Sequence, residues 1–252
     1  MGKIIAIANQ KGGVGKTTTA VNLGASLSLA EKHILIIDMD PQGNATTASG
    51  LNKRRDNRSI IEVLFGKATW KEAIKPTEIR YLKILPSSPA MLSAEVELMS
   101  AESAEMLLKQ KIQEIRNEFD FIFLDCPPSM GYLTLSSLIA ADSVIIPLQS
   151  EYFALEGLSD LLSMIKKVQK RYNPDLDIEG VLITMHDERT VLSRQVETEA
   201  RRFFPGKVFK TIIPRNVRLS EAPSYGKPII LYDIRSKGAR AYINLAKELL
   251  GE

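Results

Sequence analysis

A short apolar run, Lys3-Ile4-Ile5-Ala6-Ile7-Ala8, stops at Asn9-Gln10-Lys11-Gly12-Gly13-Val14-Gly15-Lys16-Thr17-Thr18 and passes straight into a helical pattern, Thr17–Ala30. Strand, glycine-rich turn and helix in that order form the first half of a βαβ unit, and the turn has the makings of a phosphate cradle. Glycines let successive backbone N–H groups converge on an anion, and the helix N-terminus adds its positive end. In this pattern Gly12, Gly13, Val14, Gly15 and Thr18 supply the loop backbone. Lys16 reaches the β- and γ-phosphates of a nucleoside triphosphate, and the Thr17 hydroxyl holds Mg²⁺. The usual spacing has a glycine where this chain has Gln10, and an additional lysine, Lys11, sits at the loop's first turn. A second ammonium so near the phosphates is either redundant or aimed at a different nucleotide.

Beyond the loop, short β-branched runs alternate with helical patterns along the chain. Strands are expected at Lys3–Ala8, His33–Asp38, Leu82–Leu85, Phe121–Asp125, Ser143–Pro147, Ile178–Thr184 and Val208–Ile213. Several lack polar alternation, as strands buried on both faces do. Helices are expected at Thr17–Ala30, Ala101–Phe119, Leu155–Tyr172, Ser193–Phe203 and Gly238–Leu250. The order predicts an α/β fold, a three-layer, mostly parallel, doubly wound sheet. With no internal repeat and no linker-like stretch, residues 1–252 read as one domain, and Gly50–Ser59, with Lys53, Arg54, Arg55 and Arg58, reads as an exposed loop.

Carboxylates at the C-terminal ends of two strands complete a nucleotide site. One strand runs into Asp38-Met39-Asp40-Pro41-Gln42-Gly43-Asn44, on the edge where open α/β sheets take their ligands. If the strand continues that far, alternation puts Asp38 and Asp40 on one side. Asp40 is assigned to the attacking water and Asp38 to the outer shell of the magnesium; the glycine and the Asp-Pro bend suggest a segment that moves with the γ-phosphate. The other strand, Phe121–Leu124, ends in Asp125-Cys126-Pro127-Pro128-Ser129, a Walker B pattern whose carboxylate holds magnesium directly or through water. Cys126 reads as a small buried residue.

Composition narrows the class. One cysteine excludes a disulfide framework and suits a reducing cytosol. No apolar run approaches the ~18–20 residues of a membrane span, no signal peptide opens the chain, and Ala6 breaks the myristoylation pattern that Gly2 would begin. A cytoplasmic protein is expected. The net charge of +3 is uneven: Ile165–Glu252 holds 17 Lys/Arg against 11 Asp/Glu, whereas Met1–Met164 holds 16 against 19. A basic C-terminal third suggests a face for a polyanion.

Taken together, KGGVGKTT at 11–18, DMDPQGNAT at 38–46, DCPPS at 125–129, EYFALEGL at 151–158 and PRNVRLSEAPSYGKPI at 214–229 resemble the ParA/Soj partitioning ATPases, within the P-loop ATPases of deviant Walker A type. The resemblance implies ATP and Mg²⁺ as ligands and a sandwich homodimer in which Lys11 of each subunit contacts its partner's phosphates. It implies catalytic roles for Lys11, Lys16 and Asp40, an adenine-lining segment at Pro214-Arg215-Asn216, and nonspecific binding of double-stranded DNA through Arg189 and Arg218. Lys227, Arg240 and Lys247 fall in the same basic third and join them as DNA-binding candidates. It further implies slow ATP hydrolysis stimulated by a ParB-like partner, nucleoid association, and a role in chromosome or plasmid partitioning or in replication-initiation control. His186 departs from the residue types the resemblance leads one to expect and reads as a surface residue. Without a long N-terminal extension carrying a helix-turn-helix, the chromosomal type is expected.

Three other readings share parts of the site. A MinD-like ATPase cycling on membranes needs a basic amphipathic helix at the C-terminus; Tyr242–Glu252 has one lysine and two acids and reads as a helix packed on the core. An iron protein bridging subunits with a four-iron cluster needs two thiolates per subunit, and only Cys126 is present. A nucleotide-regulated transcription factor remains as an alternative that phosphate release would distinguish.

Overall fold

The computed structural model describes residues 1–52, 58–99, 104–151 and 156–252. Lys53, Arg54 and Arg55, the start of the expected helix at Ala101, and Tyr152–Leu155 of the EYFALEGL stretch lie outside the described residues. In chain order, Lys3–Ile7 (β1), Lys16–Leu29 (α1) and Ile34–Asp38 (β2) come first. Short pieces follow: Asn44–Ala48 (α2), Ile60–Leu64 (α3), Trp70–Ala73 (α4), Lys75–Pro76 (β3) and Leu82–Leu85 (β4). Next are Met91–Met99 (α5), Ala104–Ile112 (α6), Phe121–Asp125 (β5), Tyr132–Ala140 (α7) and Ser143–Gln149 (β6). Then come Ser159–Arg171 (α8), Asp177–Thr184 (β7), Val191–Phe203 (α9), Val217–Glu221 (α10), Ile229–Tyr232 (α11) and Lys237–Leu250 (α12).

The strands form one sheet in the order β3-β4-β2-β5-β1-β6-β7. All neighbours pair parallel except the short β3, which runs antiparallel to β4 at the edge. Because side chains alternate, each strand feeds two cores. Ile4 and Ala6 of β1 pack with α3 to α9 on one face, while Ile5 and Ile7 pack with α1, α2 and α10 to α12 on the other. Three layers result, as expected. Ile7 and Asp38 both stand level with Asp125 in the ladder, so the turns after β1, β2 and β5 meet at one edge of the sheet. That convergence makes the site.

Two expected elements differ. Val208–Ile213 is no strand: Val208 forms an isolated bridge to Val181, the Phe209 and Ile213 N–H groups donate singly to the Val181 and Ile183 carbonyls of β7, and just beyond both segments Pro214 bridges to His186. Between them the Lys210 and Thr211 N–H groups donate to the Glu248 carboxylate of α12 at 2.6 and 2.9 Å, which diverts the amides a ladder would need. The helix expected to reach Phe119 ends at Ile112, and residues Arg116–Glu118 form a 3₁₀ turn. There the Arg116 guanidinium donates to the Gly2 carbonyl and pairs with Asp142. The helix α7 escaped the sequence reading because nearly all its residues are buried, leaving no polar face to give a helical period. Among the described residues no helix is long and apolar enough to cross a membrane. The expected packing of α12 is met: Tyr242, Leu245 and Ala246 are buried in the core shared with α1.

Candidate nucleotide site

The loop between β1 and α1 is held open by its backbone and tied down at its ends. Gly13 and Gly15 take φ of 75° and 93°, the left-handed region that β-carbon-bearing residues rarely adopt. Buried Asn9 donates to the Pro147 carbonyl at 2.7 Å and accepts from the Lys11 N–H, fixing the loop's entry. The Thr184 hydroxyl at the end of β7 donates to the Val14 carbonyl at 2.8 Å, fixing its middle. A cleft of about 480 Å³ opens over this loop, lined by Gly12, Gly13, Gly15, Lys16, Thr17 and Asp40 among others.

Lys16 is almost fully buried, and its ammonium donates to the Lys11 carbonyl at 3.0 Å. Burial pushes this lysine below its usual range, while Asp125 and Asp40 pull the other way. Thr17 Oγ1 donates to Asp125 Oδ2 at 2.8 Å, and the other oxygen, Asp125 Oδ1, is buried with no hydrogen-bond partner. A hydroxyl beside a carboxylate with an orphaned oxygen is the donor set a hard divalent cation needs, so these residues fit magnesium. Burial and neighbouring Asp38 raise the Asp125 carboxyl well above the ordinary carboxylate range; burial raises Asp38 to about 6. Cys126 is buried, its thiol pushed up to about 12, which makes it inert.

Asp38 ends β2, and Asp40 lies beyond the strand. Asp40 is held by its backbone and by the Gln42 N–H, which reaches its Oδ1 at 2.9 Å. Pro214, Arg215 and Asn216 line a neighbouring pocket of about 470 Å³ with Gly15, Thr18 and Tyr242. This pocket adjoins the phosphate loop through Gly15 and Thr18.

Lys11 behaves differently from Lys16. It is not part of the cleft lining, and its ammonium is paired with Glu151 at 2.6 Å.

A family model described as an AAA domain matches residues 2–178. Over 249 residues the chain is 53% identical to the sporulation initiation inhibitor protein Soj of Bacillus subtilis strain 168, covering 99% of this chain and 98% of that protein. The chain belongs to the Soj/ParA family of chromosome-partitioning ATPases. Identity to the chromosome partitioning protein ParA of Myxococcus xanthus is 52%, over 99% of this chain and 88% of that one. A solved structure, cobyrinic acid a,c-diamide synthase from Mycobacterium smegmatis with bound ADP and magnesium, superimposes with a TM-score of 0.88 at 36% identity, covering 99% and 94% of the two chains. The P-loop fold expected from the sequence is therefore the fold of this partitioning ATPase.

The residues expected to bind DNA are spread over more than one surface. Arg189 and Arg240 line a groove of about 820 Å³ together with Lys210, Arg215 and Lys237. Lys247 is two helical turns beyond Arg240 on α12 and continues the same stripe. Lys227 instead lines the nucleotide cleft and lies 4.0 Å from Glu78, so it is separated from that groove. Arg189 is 88% exposed and held by both oxygens of Asp187, at 2.9 and 2.7 Å. Arg218 pairs with Glu221 at 2.9 Å. His186, expected at the surface, is buried, with Nε2 3.7 Å from Glu197 of α9. Its backbone bridges to the 213–215 segment, which draws the side chain inward.

The sequence reading missed Glu151 as the partner of Lys11, Thr184 as an anchor of the loop, and Lys210 and Lys237 in the groove. The first two lie 140 and 170 residues from their partners, and no local spacing signals them. The i, i+3 spacing of Lys237 and Arg240 would have revealed one face of α12.

Proposed function

We propose that this ATPase binds ATP with Mg²⁺, closes as a sandwich homodimer, holds double-stranded DNA without sequence preference in that state, and partitions chromosome or plasmid DNA with a ParB-type protein. One observation carries the reading: of the two loop lysines, Lys16 lines its own cleft while Lys11 lies outside it. Lys11 is then free to exchange Glu151 for the triphosphate of a second copy. The expectation that Lys11 serves another nucleotide is in keeping with that geometry.

In this reading the loop amides and Lys16 hold the phosphates, with Thr17 and Asp125 as the magnesium ligands and Asp38 in its outer shell. Magnesium, when bound, would draw charge from the β- and γ-phosphate oxygens. Asp40 orients the attacking water, and Lys16 with the partner's loop lysine takes up charge on the transferring oxygens. Pro214, Arg215 and Asn216 flank the adenine. Turnover is slow until the partner protein engages. Arg189, Arg240, Lys210 and Lys237 neutralise DNA phosphates, which requires a basic face and no base-reading helix. Two such faces in a dimer raise affinity through effective concentration.

A DNA-shift assay with ATP, ADP and no nucleotide, paired with phosphate release with and without a ParB-type protein, tests the proposal. Binding confined to the ATP state and release accelerated by the partner are expected. Equal binding in all three states would overturn it.

A further inference from the structure

Asp40 is gripped by a closed ring of hydrogen bonds that joins two separate loops. The Asp40 N–H donates to Asp38 Oδ1 at 3.2 Å. Its carbonyl accepts from the Ser87 hydroxyl at 2.5 Å and from the Gly43 N–H at 2.8 Å. The Thr46 hydroxyl donates to Asp38 Oδ2 at 2.7 Å and accepts from the Ser87 N–H at 3.0 Å, while the Thr46 N–H also reaches Asp38 Oδ2 at 2.7 Å. Asp38, Thr46 and Ser87 are each 0% exposed. Asp38, Thr46 and Ser87 thus close on the Asp40 backbone out of contact with water, while Asp40 itself borders the cleft.

The topology explains how residues 41 positions apart meet. Ile37 of β2 stands level with Leu85 of β4, so the two chains leave the sheet side by side. Ser87 then arrives beside the turn that carries Asp40, and Thr46 approaches from the first turn of α2. A hydroxyl has one hydrogen to give and lone pairs to receive, and Thr46 uses both capacities within the ring. Buried hydrogen-bond networks of this kind fix one geometry because every alternative leaves a polar group unpaired.

We infer that Thr46 and Ser87 are positioning residues for ATP hydrolysis, holding the Asp40 backbone so that its carboxylate meets the attacking water. The inference rests on the reading of Asp40 as the water-orienting group. The ring takes both backbone polar groups of Asp40, and Gln42 takes carboxylate Oδ1. Among the described residues Oδ2 accepts no hydrogen bond, which leaves it for water. Neither Thr46 nor Ser87 lines the cleft, so neither contributes directly to nucleotide affinity.

Thr46→Val, Thr46→Ser, Ser87→Ala, the double variant Thr46→Val/Ser87→Ala and Asp40→Ala, all in the full chain, are compared for phosphate release and for binding of a fluorescent ATP analogue. A small displacement at a reacting centre costs up to about 100-fold, so kcat is expected to fall about 10- to 100-fold in Thr46→Val and Ser87→Ala. KM for ATP should stay within about threefold, because the ring acts on the step after binding. Thr46→Ser, which keeps the hydroxyl, should recover most of the rate. The double variant should lose little more than the worse single, since both break one ring. If Thr46→Val does not fold, Ser87→Ala decides alone. Retained kcat in the ring variants, with Asp40→Ala inactive, overturns the inference and spares the role of Asp40. Full turnover in Asp40→Ala overturns that role itself. Parallel loss of nucleotide binding and kcat would mark the ring as a general support and also overturn the inference.

Discussion

Two cationic residues five positions apart have distinct environments. Lys16 is buried against Asp125 and Asp40 and bonded to the loop backbone, whereas Lys11 is partly exposed and paired with Glu151. Lys16→Ala is therefore expected to abolish ATP binding in a nucleotide titration. Asp40→Ala should keep binding and lose phosphate release by about 10²–10⁴-fold, the range for a positioned proton acceptor. Asp187 and Glu221 pair with Arg189 and Arg218, so in the proposed DNA-bound state the phosphates would have to displace them. Arg189 holds the Asp187 carboxyl well below the usual range, so that pair stays ionised wherever DNA binding is measured. Asp187→Asn is expected to tighten binding to random-sequence duplex on the order of two- to fivefold, since exposed pairs are weak. Arg189→Ala should weaken binding equally across sequences and lower the salt slope by about one. Fluorescence anisotropy at several salt concentrations measures both.

At the scale of elements, the helices on the α1 face connect the nucleotide pocket to the basic groove. Tyr242 of α12 is buried, its hydroxyl 3.2 Å from the Thr19 hydroxyl of α1, and it also borders the pocket beside the phosphate loop. The same helix presents Lys237 and Arg240 to the groove and uses Glu248 to hold the 210–211 backbone. Tyr242→Ala removes a large side chain from a packed interface and is expected to cost about 3–5 kcal/mol, read as a shift in the urea midpoint. Tyr242→Phe, which keeps the ring, should retain most of that stability. A loss of ATP affinity in Tyr242→Ala that exceeds the loss in Tyr242→Phe would show that the ring supports the pocket.

For the molecule as a whole, the proposed dimer requires Lys11 to leave Glu151, with which it is paired in the single protomer. Glu151 is also held by Gln149, whose amide donates to Oε1 at 2.6 Å. Lys11→Ala should bind ATP normally yet remain a monomer by light scattering, and ATP-dependent DNA binding should disappear with the dimer. Glu151→Gln should leave Lys11 less restrained and move dimer formation to lower protein concentration. Stable ATP dimers in Lys11→Ala would remove the lysine from the interface and with it the proposed switch.

Local chemistry made the loop, the Walker B strand end and the parallel sheet legible without coordinates. Glycines at 13 and 15, a lysine and threonine at a helix start, and apolar strands ending in aspartate each act over a few residues, and their spacing is their signal. The sequence also set Lys11 apart from Lys16, as a lysine either redundant or aimed at a different nucleotide. Contacts made across the sheet were decided only by the tertiary fold: the Glu151 partner of Lys11, the Thr184 anchor, the burial of His186 and the ring through Thr46 and Ser87. The sequence could not reveal them because a hydrogen bond between residues far apart in the chain has no period and no spacing. It forms only once parallel strands bring their ends to one edge, where burial then requires each polar group to find a partner.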